Sequence, residues 1–299
     1  MTGFSSHADF MLETTTNAKR APIDFNRTID TGATTAAGRW HGAFTSGGTG
    51  GAMTLTGTAG TGIVMNRSTA GALPLGADVS TDTRHALSGY AMTSSALVAP
   101  ASVLLTDIIH IYPSCVVVTT PTVLSNHPTW TGTGDTRMTS AVGVQLSALL
   151  TTAGTVAGTL NFTYLDQGGA SANTAGIQGT SLSSVVAAHP TGCFLASGQA
   201  TTGNNGGLFM PLAAGDTGVQ RVSSYTITTN ITSGVACLML HRPICYLPIG
   251  IQGGLTLVDF YQMGLPRIYD DSCLGLITMV GAATTAAQTI QGQIFTGWG

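Results

Sequence analysis

Residues 209–226 read F-M-P-L-A-A-G-D-T-G-V-Q-R-V-S-S-Y-T. The stretch has a proline at position 211, continues through a Gly/Asp-rich turn at residues 213–218, and ends in a segment in which Val, Ser, Tyr and Thr predominate. Gly, Pro and Asp are typical of turns, whereas Val, Tyr and Thr favour strands. The stretch therefore predicts a tight corner between two strands of a β-sandwich.

Further strand signals surround this corner. Apolar residues alternate with small or polar ones over 142–150 and 160–164, which predicts half-buried strands. The run Val103–Tyr112 is mostly apolar on both faces and predicts a central strand. Val235–Leu240 is apolar throughout, and we expect this strand to end at Arg242-Pro243 because proline cannot donate to a central ladder.

The C-terminal region predicts one helix and a final pair of strands. Leu257–Met263 is the candidate helix, closed by Gly264. Cys273–Val280 and Thr289–Thr296 are the candidate strands, joined by Gly281–Gln288. Many strands with almost no helix between them predict an all-β fold, an antiparallel sandwich of jelly-roll type with an extended N-terminal arm and at most one or two short helices. The predicted core residues are Leu160, Phe162, Tyr164, Tyr225, Ile227, Leu238 and Leu240.

Composition indicates a protein that works in an assembly. Charged residues are only 8% of the 299, against about 25% in average soluble domains. Lys19 is the only lysine, Glu13 is the only glutamate, and the net charge is −3. A helical bundle needs many more Glu and Lys residues on its surface. A surface with so few charges also favours coverage by other subunits, so we predict a homo-oligomer.

Three segments differ in composition. Residues 1–40 hold eight of the 23 charged residues and few aliphatic ones, which predicts an extended arm that gains order on a partner. Residues 41–84 are rich in Gly and Thr and predict an ordered segment of loops and short strands, and residues 85–299 predict the sandwich. The predicted partner contacts lie in the arm and are its aromatic anchors and its arginines: Phe10, Arg20, Phe25, Arg27, Arg39 and Trp40.

No motif for catalysis, a cofactor or a metal emerges from the sequence. A phosphate-binding G-x-x-x-x-G-K-[ST] loop would need a second lysine, and neither G-x-S-x-G nor H-E-x-x-H occurs. Cys237, His241 and Cys245 form the best metal candidate, but Pro243 interrupts their spacing. Asp166 and Asp216 are in Gly-rich turns, where a side-chain-capped turn is the favoured interpretation over an ion site. We therefore predict a protein that is not an enzyme and that has no cofactor and no metal.

The sequence also shows no pattern typical of a targeting signal or of nucleic-acid binding. The first 20 residues contain Asp9 and Glu13 where a signal peptide would be apolar. No apolar run predicts a membrane span, and no basic stripe predicts nucleic-acid binding. The five cysteines are odd in number and widely spaced, which predicts reduced, buried thiols.

Four stretches of sequence are considered together: residues 68–75 (STAGALPL), 211–222 (PLAAGDTGVQRV) and 265–274 (LPRIYDDSCL), and a terminal TGWG at 296–299. In combination they resemble virion structural proteins of tailed bacteriophages, in the minor-head or decoration group. The resemblance extends from about Arg39 to the C-terminus. It implies a β-rich component of the virion, non-enzymatic, with a trimer favoured, bound to the major capsid protein lattice, and it supplies no catalytic residues.

Other classes remain open from the sequence. A tail-fibre or receptor-binding module has a similar Gly/Thr-rich composition, although long repeats are missing here. A major shell protein is a third possibility, although no long charged helix is predicted. A polysaccharide-degrading enzyme would need an acidic pair beside aromatic platforms, and aromatics are only 6% of the chain.

Overall fold

The computed structural model confirms an all-β fold with antiparallel sheets and short helices. It describes residues 3–29, 38–79, 81–93, 100–116, 120–131, 137–152, 160–173, 192–195, 207–227, 234–281 and 288–299. Every strand pair in these residues is antiparallel. The strands form three sheets, which we name the terminal, central and small sheets.

The terminal sheet contains the strands nearest both chain ends. In spatial order it consists of β1 (Arg20–Ile29), β15 (Gln288–Trp298), β4 (Arg84–Thr93) and β12 (Thr256–Val258), with β13 (Arg267–Ile268) also paired to β4. The central sheet consists of β2 (Trp40–Gly42), β14 (Leu274–Met279), β5 (Ala101–Val116), β11 (Val235–Ile249) and β7 (Gln145–Thr152), with β3 (Ile63–Val64) paired to β5. The small sheet consists of β6 (Thr122–Val123), β10 (Val219–Ile227), β8 (Leu160–Asp166) and β9 (Ser171–Asn173).

The helical segments are short. Near the N-terminus, α1 (His7–Met11) runs directly into a π-helical turn (Leu12–Thr16) that the sequence did not predict. The predicted helix at 257–263 is confirmed but shorter, α2 (Phe260–Met263), because its first residues pair with β4 as β12. No helical segment in the described part of the chain has the length and apolarity needed to cross a membrane.

Three hydrophobic clusters fill the interior, and the long strands β5 and β11 contribute to all of them. The first cluster lies between the central and small sheets and contains Leu160, Phe162, Tyr164, Tyr225, Leu238 and Leu240, as predicted. The side chain of Ile227 lies outside the described residues. The second cluster joins the central and terminal sheets, and the third covers the central sheet with residues of segment 43–72.

The expected end of a strand at Pro243 is wrong. Strand β11 continues through Pro243 and Pro248 to Ile249. Beyond His241 it no longer pairs with β7 and keeps only β5 as a neighbour, and the register shifts between Pro243 and Cys245. A missing N–H is tolerated at a bulge and on a strand with one free edge.

The expected final strand pair is also wrong as a pair. Both strands form, but β14 joins β2 and β5 in the central sheet, whereas β15 joins β1 and β4 in the terminal sheet. The connection over 282–287 lies outside the described residues. The C-terminal region thus crosses from one sheet to another, which local periodicity does not specify.

Residues 20–29 do not form an arm separate from the sandwich. They form β1, which pairs along its whole length with β15. Ile23, Phe25 and Ile29 face inward and are almost fully buried in the second cluster. The alternation of these residues with Pro22, Asp24 and Asn26 is the strand period, which the many charges of the segment obscured. The described residues therefore show no boundary at residue 40.

Arg27 fastens the Gly/Thr-rich segment to this strand. Its guanidinium is buried and donates hydrogen bonds to the carbonyls of Gly51 and Gly71, with a longer contact to the carbonyl of Ser46. Burial lowers the pKa of Arg27. Since arginine stays charged at any ordinary pH, its charge is offset by backbone dipoles of segment 41–84. These hydrogen bonds hold the loops at Gly51 and Gly71 against β1.

The corner at 209–226 is present, although an extended segment rather than a strand enters it. The Asp216 N–H donates to the Ala213 carbonyl at 3.0 Å, and Gly215 has φ +95°, which favours glycine. The Tyr164 hydroxyl donates to Asp216 Oδ2 at 2.6 Å and accepts from the Ala213 N–H at 2.7 Å. Gly218 is also required, because a Cβ there would lie 1.9 Å from the Ala141 carbonyl oxygen.

We expect Arg27→Met to lower the free energy of unfolding by about 2–4 kcal/mol, because it leaves buried carbonyls without donors. Arg20→Met is the matched control, since Arg20 lies on the same strand but is exposed, and in dilute solution, where association does not contribute, it should change stability by less than about 0.5 kcal/mol. Urea unfolding measures both. Equal effects of the two substitutions would contradict the role given to Arg27.

We expect Tyr164→Phe to destabilise the fold by about 1–3 kcal/mol, because it removes both hydrogen bonds of the Tyr164 hydroxyl and leaves the part-buried Ala213 N–H without its acceptor. Tyr225→Phe removes one hydrogen bond, to the Val116 carbonyl, and serves as the comparison. Thermal unfolding should rank Tyr164→Phe as the more damaging change. The opposite ranking would show that the corner contributes little to stability.

Candidate interaction surface

An apolar groove of about 450 Å³ lies on the outer face of the terminal sheet. Its floor includes Ser88 and Phe295, which are directly paired neighbours on β4 and β15, and Leu257 of β12. The inner-face neighbours on the same strands, such as Ala86 and Ile294, are in the core. The groove is therefore the solvent side of a sheet whose other side is fully packed.

Two short helical segments form the walls. On one side α1 contributes Phe10 and Met11 and the π-helical turn contributes Thr14 and Thr15, and on the other side α2 contributes Phe260. The rings of Phe10 and Phe260 lie 5.2 Å apart, and Phe4 packs edge-on against Phe10 at 5.1 Å. Aromatic contacts at these separations fix the walls relative to one another.

Local sequence places both walls. Ser6 caps α1, accepting a hydrogen bond from the Asp9 N–H at 3.1 Å. Asp259 and Gln262 form a reciprocal capping box at the start of α2. These caps satisfy backbone groups at the helix starts, so the apolar side chains on the following turn face the groove.

Large apolar side chains remain exposed at this surface. Tyr261 is 77% exposed, Leu257 is 55% exposed and Met11 is 43% exposed, while Phe295 on the floor is 36% exposed. Tyr261 stacks on Phe260 with ring centroids 4.0 Å apart, so it projects from the groove wall. Clustered exposed apolar side chains mark surfaces that bind other molecules.

The charges at the groove are one cation and one carboxylate that do not pair with each other. Within the described residues, the Arg20 guanidinium on the rim makes no hydrogen bond or ion pair. Asp259 uses Oδ1 to cap α2, accepting from the Gln262 N–H at 3.0 Å. Nearby Lys19 is already neutralised by Glu13 at 2.8 Å and Asp82 at 2.9 Å. Arg20 is thus left to interact with a partner.

The six predicted contact residues lie in three different places. Phe25 and Arg27, on the core strand β1, and Arg39, directly before β2, are at most 3% exposed and belong to the interior of their own chain. Trp40 is half-buried against the third cluster and faces Tyr246. Phe10 and Arg20 lie together at the groove, and partner contact there stays a prediction. The sequence analysis did not identify Leu257, Phe295 or Tyr261, since each alternates normally on a strand or lies in a short helix.

The metal candidate Cys237, His241 and Cys245 does not converge. Cys237 lies in the third cluster and Cys245 in the second. His241 is fully buried between Thr106 Oγ1 and Ser147 Oγ, each 2.9 Å from a ring nitrogen. In the described part of the chain, no three His, Cys, Asp or Glu side chains are placed to hold a metal ion.

The hydrogen bonds also fix the tautomer of His241. The Thr106 hydroxyl donates to the Arg242 carbonyl at 2.9 Å, so its oxygen accepts from the Nδ1–H of His241. Nε2 is then the acceptor for the Ser147 hydroxyl. Burial lowers the pKa of His241 to about 3. The histidine is therefore held neutral and serves as a bridge between β5, β7 and β11.

Asp107 forms a second buried polar centre on β5. Its carboxylate accepts from Arg137 Nη1 at 2.7 Å, from the Cys273 N–H at 2.9 Å and from Ser272 Oγ at 3.1 Å. Both side chains of the ion pair are 2% exposed. Burial raises the pKa of Asp107, and Arg137 and Arg242 oppose this by favouring the charged form. The arrangement ties two loops to the central sheet.

The remaining sequence candidates have structural roles. All five cysteines are unpaired and buried, as predicted, and burial raises the pKa of Cys115, Cys193, Cys245 and Cys273 to about 12. Asp166 Oδ1 accepts from the N–H groups of Gly168 and Ala170 at 2.8 and 2.9 Å, which is a capped turn.

Comparisons with known proteins do not assign a family. No protein-family model and no curated protein matches the chain. Among solved structures, the crystal structure of the infectious bursal disease virus VP2 subviral particle aligns with 96% of this chain and 85% of that chain at 9% identity, with a TM-score of 0.18. So low a TM-score does not establish a shared fold, and the alignment carries no argument about function.

We expect stability to fall as pH decreases from about 6.5, because the folded state resists protonation of two histidines. Burial lowers the pKa of His110 to about 4 and of His241 to about 3, from 6.5. Between pH 6.5 and these lowered pKa values the unfolded chain binds more protons than the folded chain. Each histidine therefore lowers the free energy of unfolding by up to about 1.4 kcal/mol for each pH unit of acidification. Urea unfolding from pH 7 to pH 4.5 measures the slope.

The variant His241→Gln provides the control for this pH dependence. Glutamine retains a donor and an acceptor but does not titrate. The slope of unfolding free energy against pH should then fall by about one proton's contribution, whatever the absolute stability of the variant. An unchanged slope would show that His241 is not a source of the acid sensitivity.

Proposed function

We propose that this chain is a non-enzymatic structural component of a virus particle, in finer terms a capsid decoration or minor-head protein bound to a major capsid protein lattice. The observation that carries the proposal is the apolar groove on the outer face of the terminal sheet, rimmed by the unpaired Arg20. The sequence resemblance to tailed-phage virion proteins supports a location on a virus particle, and the groove offers a surface for contact with another protein.

The placement of the polar groups agrees with a structural role. Burial shifts the pKa of His241, Asp107 and Arg27, and each of these groups is buried and bonded to the protein's own strands and loops. The groups left at the surface groove are mainly apolar. Apolar surface removed from water stabilises association by about 25 cal/mol per Å² before the costs of binding are subtracted.

The contact is better tested by point substitutions than by removing the N-terminus. A chain beginning after residue 41 would lose β1 and with it Ile23, Phe25 and Ile29 of the core. Such a chain is expected to unfold, so its failure to bind would say nothing about an arm. Of the N-terminal region, the part available for contact is the wall formed by α1 and the π-helical turn.

Purified particles of the virus that encodes the chain test the proposal. Quantitative mass spectrometry should find many copies per particle, and cryo-electron microscopy should locate them on the capsid face. A few copies confined to the tail would favour the receptor-binding alternative, and a chain that forms the whole shell would be a major shell protein. Absence of the chain from purified particles would refute all three assignments.

A further inference from the structure

We infer that the groove is occupied by a second copy of this chain, related by a two-fold axis, with Arg20 of each copy paired to Asp259 of the other. The inference goes beyond the proposed function and does not depend on it, because it concerns the free protein.

The groove carries both halves of a self-complementary contact. Arg20 supplies an unpaired cation on one rim, and Asp259 supplies a carboxylate on the other wall. Only Oδ1 of Asp259 is engaged in capping α2, so Oδ2 remains able to accept from a guanidinium. A two-fold axis through the groove would bring the cation of one copy to the carboxylate of the other, twice.

The apolar side chains fit the same arrangement. Tyr261 projects from the α2 wall and is 77% exposed, and the adjoining groove has room for a large side chain. Leu257, which is 55% exposed, lies on the floor of this groove. Tyrosine is an effective interface anchor because it buries a large, rigid ring while keeping its hydroxyl accessible.

The symmetry of the contact between two copies is inferred from the position of Tyr261 directly beside the groove. Tyr261 and its neighbour Phe260 lie beside the groove, on the same patch of the same chain. A contact in which one patch meets an identical patch is isologous and closes as a dimer. The geometry therefore favours a two-fold pair at this surface, in place of the three-fold assembly that the sequence resemblance implies.

Sedimentation velocity of the purified full chain over a range of concentrations tests the inference. The wild type should show a reversible monomer–dimer equilibrium. Arg20→Glu should weaken the dimer at least about tenfold, because each exposed ion pair contributes up to about 1 kcal/mol, occurs twice and becomes a repulsion. Arg20→Lys, which keeps the charge, should stay within about threefold of the wild type.

Two apolar substitutions form a matched pair. Leu257→Ser, in the groove, should weaken the dimer, whereas Val123→Ser, 79% exposed on the small sheet, should leave it unchanged. Both positions are exposed, so neither change should unfold the chain, and circular dichroism verifies this. A wild type that stays monomeric, a trimer, or a dimer indifferent to both Arg20→Glu and Leu257→Ser would each overturn the inference.

Cross-linking between different chains locates the contact. The native thiols are all buried, so one added cysteine gives one reactive site. A chain with Ser88→Cys is mixed with a chain with Tyr261→Cys and treated with a short bismaleimide. Cross-links between the two different chains should exceed those formed by either chain alone. A random distribution would show that Tyr261 does not enter the partner groove.

These outcomes are separable from those of the proposed function. A dimer in solution says nothing about whether the chain resides on a particle, and its presence on particles does not require this contact. Particles that contain the chain while Arg20→Glu and Leu257→Ser leave its self-association unchanged would refute the two-fold contact alone. A groove-dependent dimer missing from particles would refute the particle role alone.

Discussion

Strands β5 and β11 pair from Val235 opposite Val116 to Ile249 opposite Ala101, and the three hydrophobic clusters all draw residues from this pair. Near one end, Tyr112 and Leu238 pack toward the small sheet. Near the other, Val103 and Leu247 pack toward the terminal sheet. Loss of this pairing would expose all three clusters together, so the sheets are expected to unfold as one unit.

The middle of this pair is polar, and that feature requires explanation in so apolar an interior. Register shifts occur beside His241 and Pro243, where the regular alternation of faces is interrupted. Thr106, Asp107 and His241 lie at these positions, and each has partners in the protein. Bulges bend strands and re-aim side chains. We infer that the polar centre fixes where the pair changes from one packing partner to the other, because a slipped register would leave these groups unsatisfied.

The sequence predicted strands better than it predicted sheets. Alternation over 160–164 and the apolar run Val103–Tyr112 are local patterns, and both give strands with the expected burial. Sheet membership is non-local: β14 and β15 are close in sequence yet belong to different sheets. Proline was misjudged because its cost depends on whether a strand has neighbours on both sides, which the sequence does not show.

Candidate contact residues were harder to predict for a related reason. Arginine is a residue type usually found at the surface, but Arg27 is buried against backbone carbonyls. Its partners are 24 and 44 residues away in the sequence. Leucine and phenylalanine are residue types typical of the core, but Leu257 and Phe295 face solvent. Residue type alone therefore pointed the wrong way at these positions. Arg20 was predicted as a contact residue together with Arg27 and Arg39 of the same segment, and of these three arginines it is the exposed one.

The β1 edge of the terminal sheet explains why association should use the face of the sheet rather than this edge. On β1, the N–H groups of Asn26 and Thr28 point away from β15 and are bonded to Thr49 and Gly47 of the neighbouring loop. Pro22, at the same parity, has no N–H to offer, and Asp24 places a charge beside it. These features block addition of another strand at this edge. An apolar outer face left open beside a protected edge directs contact to side chains in the groove, where shape and charge can select the partner.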